Sequence, residues 1–271
     1  MPIITFTTDW NNSDYYHGAV KGAILSSCPD VTFVDISHNI HPFNILQASI
    51  VLRYCYKNFP EGTIHLIEVN NEKKNQPYLL VEKNKQYFIA SDSGVYSLLF
   101  DDMPDAIVKL NGRESGKDST FPSLDIFTRA ICTLVNNESL EKLGELVTSL
   151  PRRAPLLPAY DEAVINGSVI YIDSYANAIT NISEELFNKI GKKRRFEIFV
   201  QSNHYRINKI SDSYSHVPPG ELVAVFNSAN MLEVAINQGN AAQLLNLDTN
   251  SVIRIKFYEN SGNPELTLFS N

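Results

Sequence analysis

At 271 residues the chain is long enough for two modest domains of ~150 residues or fewer. Its 44% hydrophobic and 20% charged residues, with a mean hydropathy of −0.15, exclude a disordered, collagenous or membrane-bundle chain. A net charge of −7 argues against a phosphate-tracking nucleic-acid surface and for a small-molecule ligand.

The first half alternates strand-like and helix-like segments. IITFTT reads as a strand, a polar turn follows, HGAVKGAILSSC has helical character, and VTFVDI returns to strand. Next come the helical spacing of NILQASIVLRYCYKNF, the punctuation PEGT, and the short apolar strands IHLIEV, YLLVE and QYFIAS. LDIFTRAICTLVNN reads as a second clear helix and SLEKLGELV as a further short one. PRRAPLLPAYDE, with its prolines, has the composition of a linker, which places a boundary near Pro151 to Tyr160. Beyond it SVIYID, FEIFVQ, HYRINKI, ELVAVFN, MLEVAI and SVIRIKFY predict a mostly antiparallel, β-rich set. The expected fold is therefore an N-terminal α/β/α domain with a mixed sheet over residues 1–152, then a smaller β-rich C-terminal domain over 160–271. No apolar run reaches the ~18 residues of a spanning helix, and MPIITFTTDW has no basic leader region, so the expectation is a cytoplasmic protein with no membrane partner.

Several residues are candidates for chemistry. Polar residues crowd the turn TTDWNNSDYY after the first strand, where ligands of open α/β sheets bind, so Asp9 and Asp14 qualify. The plainer alternative is that Asp9 ends a strand and Asp14 caps the following helix. His38 and His41 form an HxxH that lacks a third ligand of matching spacing. His17 and His65 read as packed side chains, and His204 and His216 as exposed ones. Lys192 to Arg195 is a dense basic run of the kind that forms a solvated turn. The cysteines Cys28, Cys55 and Cys132 have no CxxC spacing and are expected to be inert in apolar surroundings. Nothing matches a GxGxxG, P-loop or GxSxG device.

TDWNNSDYYHGAVKG, VDISHNIHPFNILQAS, FPEGTIHL, IDSYANAITNI and NSANMLEVAINQGNAA occur in an order that resembles the S-adenosyl-L-methionine (SAM) hydroxide adenosyltransferases, relatives of the fluorinase and chlorinase. The likeness spans both expected domains. It implies a homotrimer whose ligand lies between the N-terminal domain of one subunit and the C-terminal domain of its neighbour. It further implies displacement at ribose C5′ by water, giving adenosine and methionine, with SAM as substrate and no cofactor.

By motif, Asp9 matches the ribose-holding aspartate, and Asp14 and Tyr16 fall on the adjoining turn. Phe43 matches the aromatic lining the ribose and sulfonium, the alternative being a core phenylalanine. Asp173, Tyr175 and Asn177 match D-x-F-G-N, which addresses the methionine amino and carboxylate groups, with Tyr for Phe and Ala176 for Gly. Tyr214 matches an aromatic near the adenine, and Asn237 and Gln238 fall where backbone groups meet its edge. Ser228 and Glu233 keep the surrounding N-S-x-x-x-L-E pattern.

The chain departs from the family at the water-activating Asp, Arg and His. The acid of V-D-P-G-V-G is Asn70, the arginine has no counterpart beyond Lys73 or Lys74, and the histidine of T-F-H-G-R-D is Pro122. Asn70 and Ser123 are left as candidates to orient water. Ser123 also falls at the fluorinase's halide-contacting serine, beside Phe121 of the aromatic wall, although its plainer reading is a cap for the helix that follows. A chain that retains SAM or adenosine binding without catalysis is the competing expectation, and halogenation ranks below both.

Overall fold

Strands buried along nearly their whole length, Ile3–Thr8 and Ile64–Glu68 foremost, build a seven-stranded mixed sheet covered on both faces. The computed structural model describes residues 1–69, 76–112, 119–150 and 156–259. The chain divides into two units, Met1–Pro155 and Leu156–Asn271.

The first unit runs β1 (Ile3–Thr8), α1 (Tyr16–Ser27), β2 (Thr32–Ser37), α2 (Ile45–Arg53), β3 (Ile64–Glu68), β4 (Tyr78–Lys83), β5 (Gln86–Ser91), α3 (Val95–Leu99), β6 (Ala106–Leu110), α4 (Thr128–Val135) and β7 (Gly144–Leu146). The strand order is β2-β1-β3-β5-β4-β6-β7. β1 pairs in parallel with β2 and β3, and β3 with β5, while β4, β6 and β7 join antiparallel. Ile4, Phe6, Leu66, Leu80 and Ile89 pack with Val20 and Ile24 of α1 and Ala130 and Ile131 of α4. On the other face Leu79, Val81, Phe88 and Ala90 meet Ala48 and Leu52 of α2 and Val95 and Leu99 of α3. This is the expected α/β/α layering.

α2 starts at a side-chain cap on Asn44, and its third residue braces the preceding turn. Asn44 accepts from the Gln47 amide at 3.0 Å, and Gln47 Oε1 accepts from the His41 amide at 2.8 Å. α1 starts differently from the sequence reading: Tyr15 precedes it with no side-chain cap, and Asp14 stays in the exposed turn.

The segment expected to be one helix from Leu124 begins instead as a π-helical turn over Ser123–Phe127, in which the Thr128 amide reaches back to the Ser123 carbonyl, before α4. Pro122, not Ser123, stands in the capping position. SLEKLGELV is not a helix. One 3-10 turn over Leu140–Lys142 gives way to β7, because a Cβ at Gly144 would overlap the Lys109 carbonyl of β6, and only glycine admits that pairing.

The second unit comprises β8 (Ala159–Tyr160), β9 (Val164–Ile172), β10 (Ala178–Ser183), α5 (Glu184–Gly191), β11 (Arg195–Val200), β12 (Arg206–Ile207), β13 (Leu222–Phe226), β14 (Met231–Ile236), α6 (Ala241–Leu244) and β15 (Val252–Tyr258). Its eight strands follow β12-β11-β15-β9-β10-β14-β13, with β8 added beside β9, and every named pair is antiparallel. HYRINKI contributes only the two residues of β12. The basic run is not a fully solvated turn. Arg194 folds onto the end of α5, donating to the carbonyls of Ile190 (2.7 Å) and Gly191 (3.2 Å), and its guanidinium lies 5.5 Å from the Phe257 ring.

Candidate functional site

In the first unit the crossover through α1 runs from β1 to β2 on one side, and the crossover through α2 returns to β3 on the other. The carboxyl ends of β1 and β3 therefore flank a topological switch point, the position at which open α/β sheets bind ligands. Asp9 and Glu68 sit there. The Asp9 amide donates to the Glu68 carbonyl at 3.2 Å, and Asp9 Oδ2 accepts from the Phe43 amide at 2.9 Å.

Phe43 holds a left-handed backbone at φ +65° and is 53% exposed, so it is not a core phenylalanine. Tyr16, Phe121 and Trp10 form one aromatic wall. The Phe121 ring stands 5.2 Å from Tyr16 and 5.6 Å from Trp10. Trp10, the chain's single tryptophan, was missed by the sequence reading although it directly follows Asp9. It lies parallel to the His38 ring at 6.3 Å.

His38 is buried and shares a 2.7 Å hydrogen bond with Thr8 Oγ1. Its Nε2 lies 3.3 Å from Asp35 Oδ1, out of line for a hydrogen bond. Burial, opposed by the Asp35 charge, lowers its pKa. His41 is exposed, and among the described residues no group of three or more His, Cys, Asp or Glu is placed to hold a metal ion.

Asn70, Lys73 and Lys74 lie outside the described residues. Ser123 is fully buried, and its hydroxyl donates to Glu68 Oε2 in a short hydrogen bond. Glu68 is 5% exposed at the end of β3 and has no sequence signal beyond being the one acid in an apolar run.

Three turns of the second unit enclose a cavity of about 500 Å³ lined by Asp173, Tyr175, Asn177, Tyr214, Ile236, Asn237, Gln238 and Gly239. Asp173 organises the first turn. Its Oδ1 accepts from the amides of Tyr175 (3.0 Å) and Asn177 (2.8 Å), and its Oδ2 accepts from Asn177 Nδ2 at 3.3 Å. Ala176 takes a left-handed φ of +61°, where the family motif has glycine.

Glu233 is buried beneath the site. One oxygen accepts from Tyr214 Oη at 2.7 Å and the other from Asn227 Nδ2 at 3.1 Å. Burial first, then that hydrogen bond, drives the Tyr214 phenol far up, so it stays a neutral donor. Asn237 is less available than expected, because its amide donates to Glu221, its carbonyl accepts from Gly220, and its side chain donates to Val217. Ser228 sits at the exposed tip between β13 and β14, at the end of β14 remote from the cavity. A separate depression of about 590 Å³, lined by Phe199, Arg206 and Arg254 among others, contains none of the expected residues.

The model of the SAM hydroxide adenosyltransferase N-terminal domain matches residues 4–144, and that of its C-terminal domain residues 167–254. An (R)-S-adenosyl-L-methionine hydrolase of Methanocaldococcus jannaschii is 27% identical over 265 residues, covering 92% of this chain and 93% of that protein. A fluorinase of Nocardia brasiliensis is 40% identical over 63 residues, 23% of this chain and 21% of that protein. The crystal structure of an uncharacterized conserved protein from Thermotoga maritima superposes with a TM-score of 0.83 at 27% identity, covering 94% of this chain and all of that one.

Proposed function

This chain belongs to the SAM hydroxide adenosyltransferase family, and on that premise we propose that it binds SAM and hydrolyses it at ribose C5′ to adenosine and L-methionine. The observation that carries the reading is the second-unit cavity. It gathers Asp173, Tyr175, Asn177, Tyr214, Asn237 and Gln238 from separate turns around a volume suited to a nucleoside-sized ligand.

Asp9 is the ribose clamp in this reading. A carboxylate is suited to accept two vicinal hydroxyls, and here a backbone amide at 2.9 Å already orients one of its oxygens. Phe43, Tyr16 and Phe121 give the sulfonium an aromatic wall. The sulfonium is a good leaving group, so the protein's task is to position and activate water, and the chemistry asks for no resident cofactor. The site is completed in a homotrimer, where the first unit of one copy meets the second unit of another. Exposure of Tyr15 (71%), Phe43 (53%) and Tyr175 (78%) supports such a covered arrangement.

A second reading, a SAM- or adenosine-binding protein without turnover, is favoured by one observation: Asn70 and Pro122 stand where the family has its acid and histidine. Halogenation is disfavoured physically, because the Ser123 hydroxyl is spent on the Glu68 carboxylate, whose charge repels an anion there. The deciding experiment incubates the purified chain with SAM, alone and with chloride or fluoride, and follows adenosine and methionine by chromatography. Adenosine above the protein-free control supports hydrolysis. Bound but unconverted SAM supports the second reading, and neither binding nor turnover refutes both.

A further inference from the structure

Two of the three water-activating side chains that the chain lacks, the acid and the histidine, have a near neighbour of suitable chemistry. Glu68 lies two residues before Asn70, and Ser123 one residue after Pro122. The fold brings these neighbours together across 55 positions of sequence, with the Ser123 hydroxyl donating to the Glu68 carboxylate.

Three further observations set the pair apart from an incidental buried contact. β3 is otherwise apolar apart from His65, and Glu68 is a buried carboxylate at its end that the Ser123 hydroxyl engages. Ser123 opens the π-helical turn, a widened geometry that recurs at functional sites, and its carbonyl is held by Thr128 Oγ1 at 2.8 Å. Glu68 also pairs in register with Thr8 and bonds through its carbonyl to the Asp9 amide, which puts it at the same switch point as the ribose clamp. Ser123 has no exposure and Glu68 keeps 5%, so the solvent contact that the pair has belongs to Glu68.

We propose that Glu68 is the carboxylate that accepts the proton of the attacking water and that Ser123 is its positioning residue; this rests on the hydrolase reading above. The water oxygen bonds to C5′ as the C5′–S bond breaks, and the bonding pair leaves on the methionine sulfur. The released proton passes to Glu68 and then to solvent, so that the SAM cation and water give adenosine, methionine and one proton. Ser123 fixes the carboxylate rotamer by its hydrogen bond, a role that glutamine would also permit but without a basic oxygen.

The test measures adenosine formation and, separately, calorimetric adenosine binding for the wild type, Glu68→Gln, Glu68→Ala and Ser123→Ala. Glu68→Gln is expected to lower kcat by ~10²- to 10⁴-fold, with KM and adenosine affinity changed less than about threefold. Added formate, a small diffusible carboxylate, is expected to restore turnover to Glu68→Ala and to leave the wild type unaffected. Ser123→Ala is expected to lower kcat by roughly tenfold with the same unchanged binding. Glu68→Gln with near-wild-type kcat overturns the proposal, as does a parallel loss of turnover and adenosine affinity without formate rescue, which marks a structural role. A wild type that binds SAM without converting it overturns the hydrolase reading first and the proposal with it.

Discussion

Ala176 is held at φ +61° in the turn that shapes the second-unit cavity, so Ala176→Gly is expected to stabilise the protein. A Cβ in the left-handed region costs roughly 1–2 kcal/mol, a cost that glycine avoids. The greater freedom of unfolded glycine takes back about 0.4–1 kcal/mol. The net gain is about 0.5–1 kcal/mol, equivalent to a rise of roughly 2–6 °C in the melting temperature of a domain of this size. Ala176→Val should move the opposite way, because a β-branched side chain fits that conformation worse still. Differential scanning calorimetry with urea titration reads both. The Asp173 and Asn177 hydrogen bonds do not involve the Ala176 side chain, so adenosine affinity should stay within about threefold. A glycine variant that melts at or below the wild-type temperature, or a valine variant that matches wild type, would refute the strain argument.

Asp9→Ala removes the proposed ribose clamp and the acceptor of the Phe43 amide. Loss of charge-assisted hydrogen bonds worth ~3 kcal/mol should weaken adenosine binding by at least ~100-fold in calorimetry, and unchanged affinity would count against the site. His65 is fully buried and burial depresses its pKa to about 4 from 6.5. It stays neutral in the folded state while the unfolded chain takes up a proton, so its contribution is intact above pH 6.5 and is lost as pH falls towards 4. Urea denaturation should show a destabilisation of ~2 kcal/mol between pH 7 and 5 from this group, and His65→Gln should flatten that slope. Burial pushes the Cys55 thiol up to about 11 and that of Cys132 to about 12. At pH 8 both should react with a thiol reagent at least ~100-fold more slowly in the native protein than in urea, and equal rates would show them to be accessible thiolates.

The first βαβ opening, the helix from Asn44 and the β-rich second half were legible because their apolar periods are local. What escaped depends on distant partners. β6 is five residues whose strand character comes from pairing with β4 and β7, and α3 is a single short helix after a left-handed Gly94. The π-helical turn at Ser123 has the apolar spacing of an ordinary helix. Within the candidate site, the motif residues around Asp173 and Asn177 were readable because one turn supplies them. Glu68 was not, since its defining contact lies on a segment far along the chain. Asp14 and Ser123 both had the residue type of a cap, yet neither caps, because Tyr15 and Pro122, one residue away from each, hold the capping positions.

The way Asp173 is spent changes what its presence testifies to. Its carboxylate ties down the amides of Tyr175 and Asn177 before any ligand arrives, so a descendant that had abandoned nucleosides altogether would still be under pressure to keep an aspartate there, simply to close the loop. Persistence of that motif in a genome is thus a record of folding as much as of use. Asp9 is tied in the same manner to Phe43. Glu68 is likewise engaged, by the Ser123 hydroxyl, so the gain or loss of any of these three carboxylates reports on the fold and on the chemistry together.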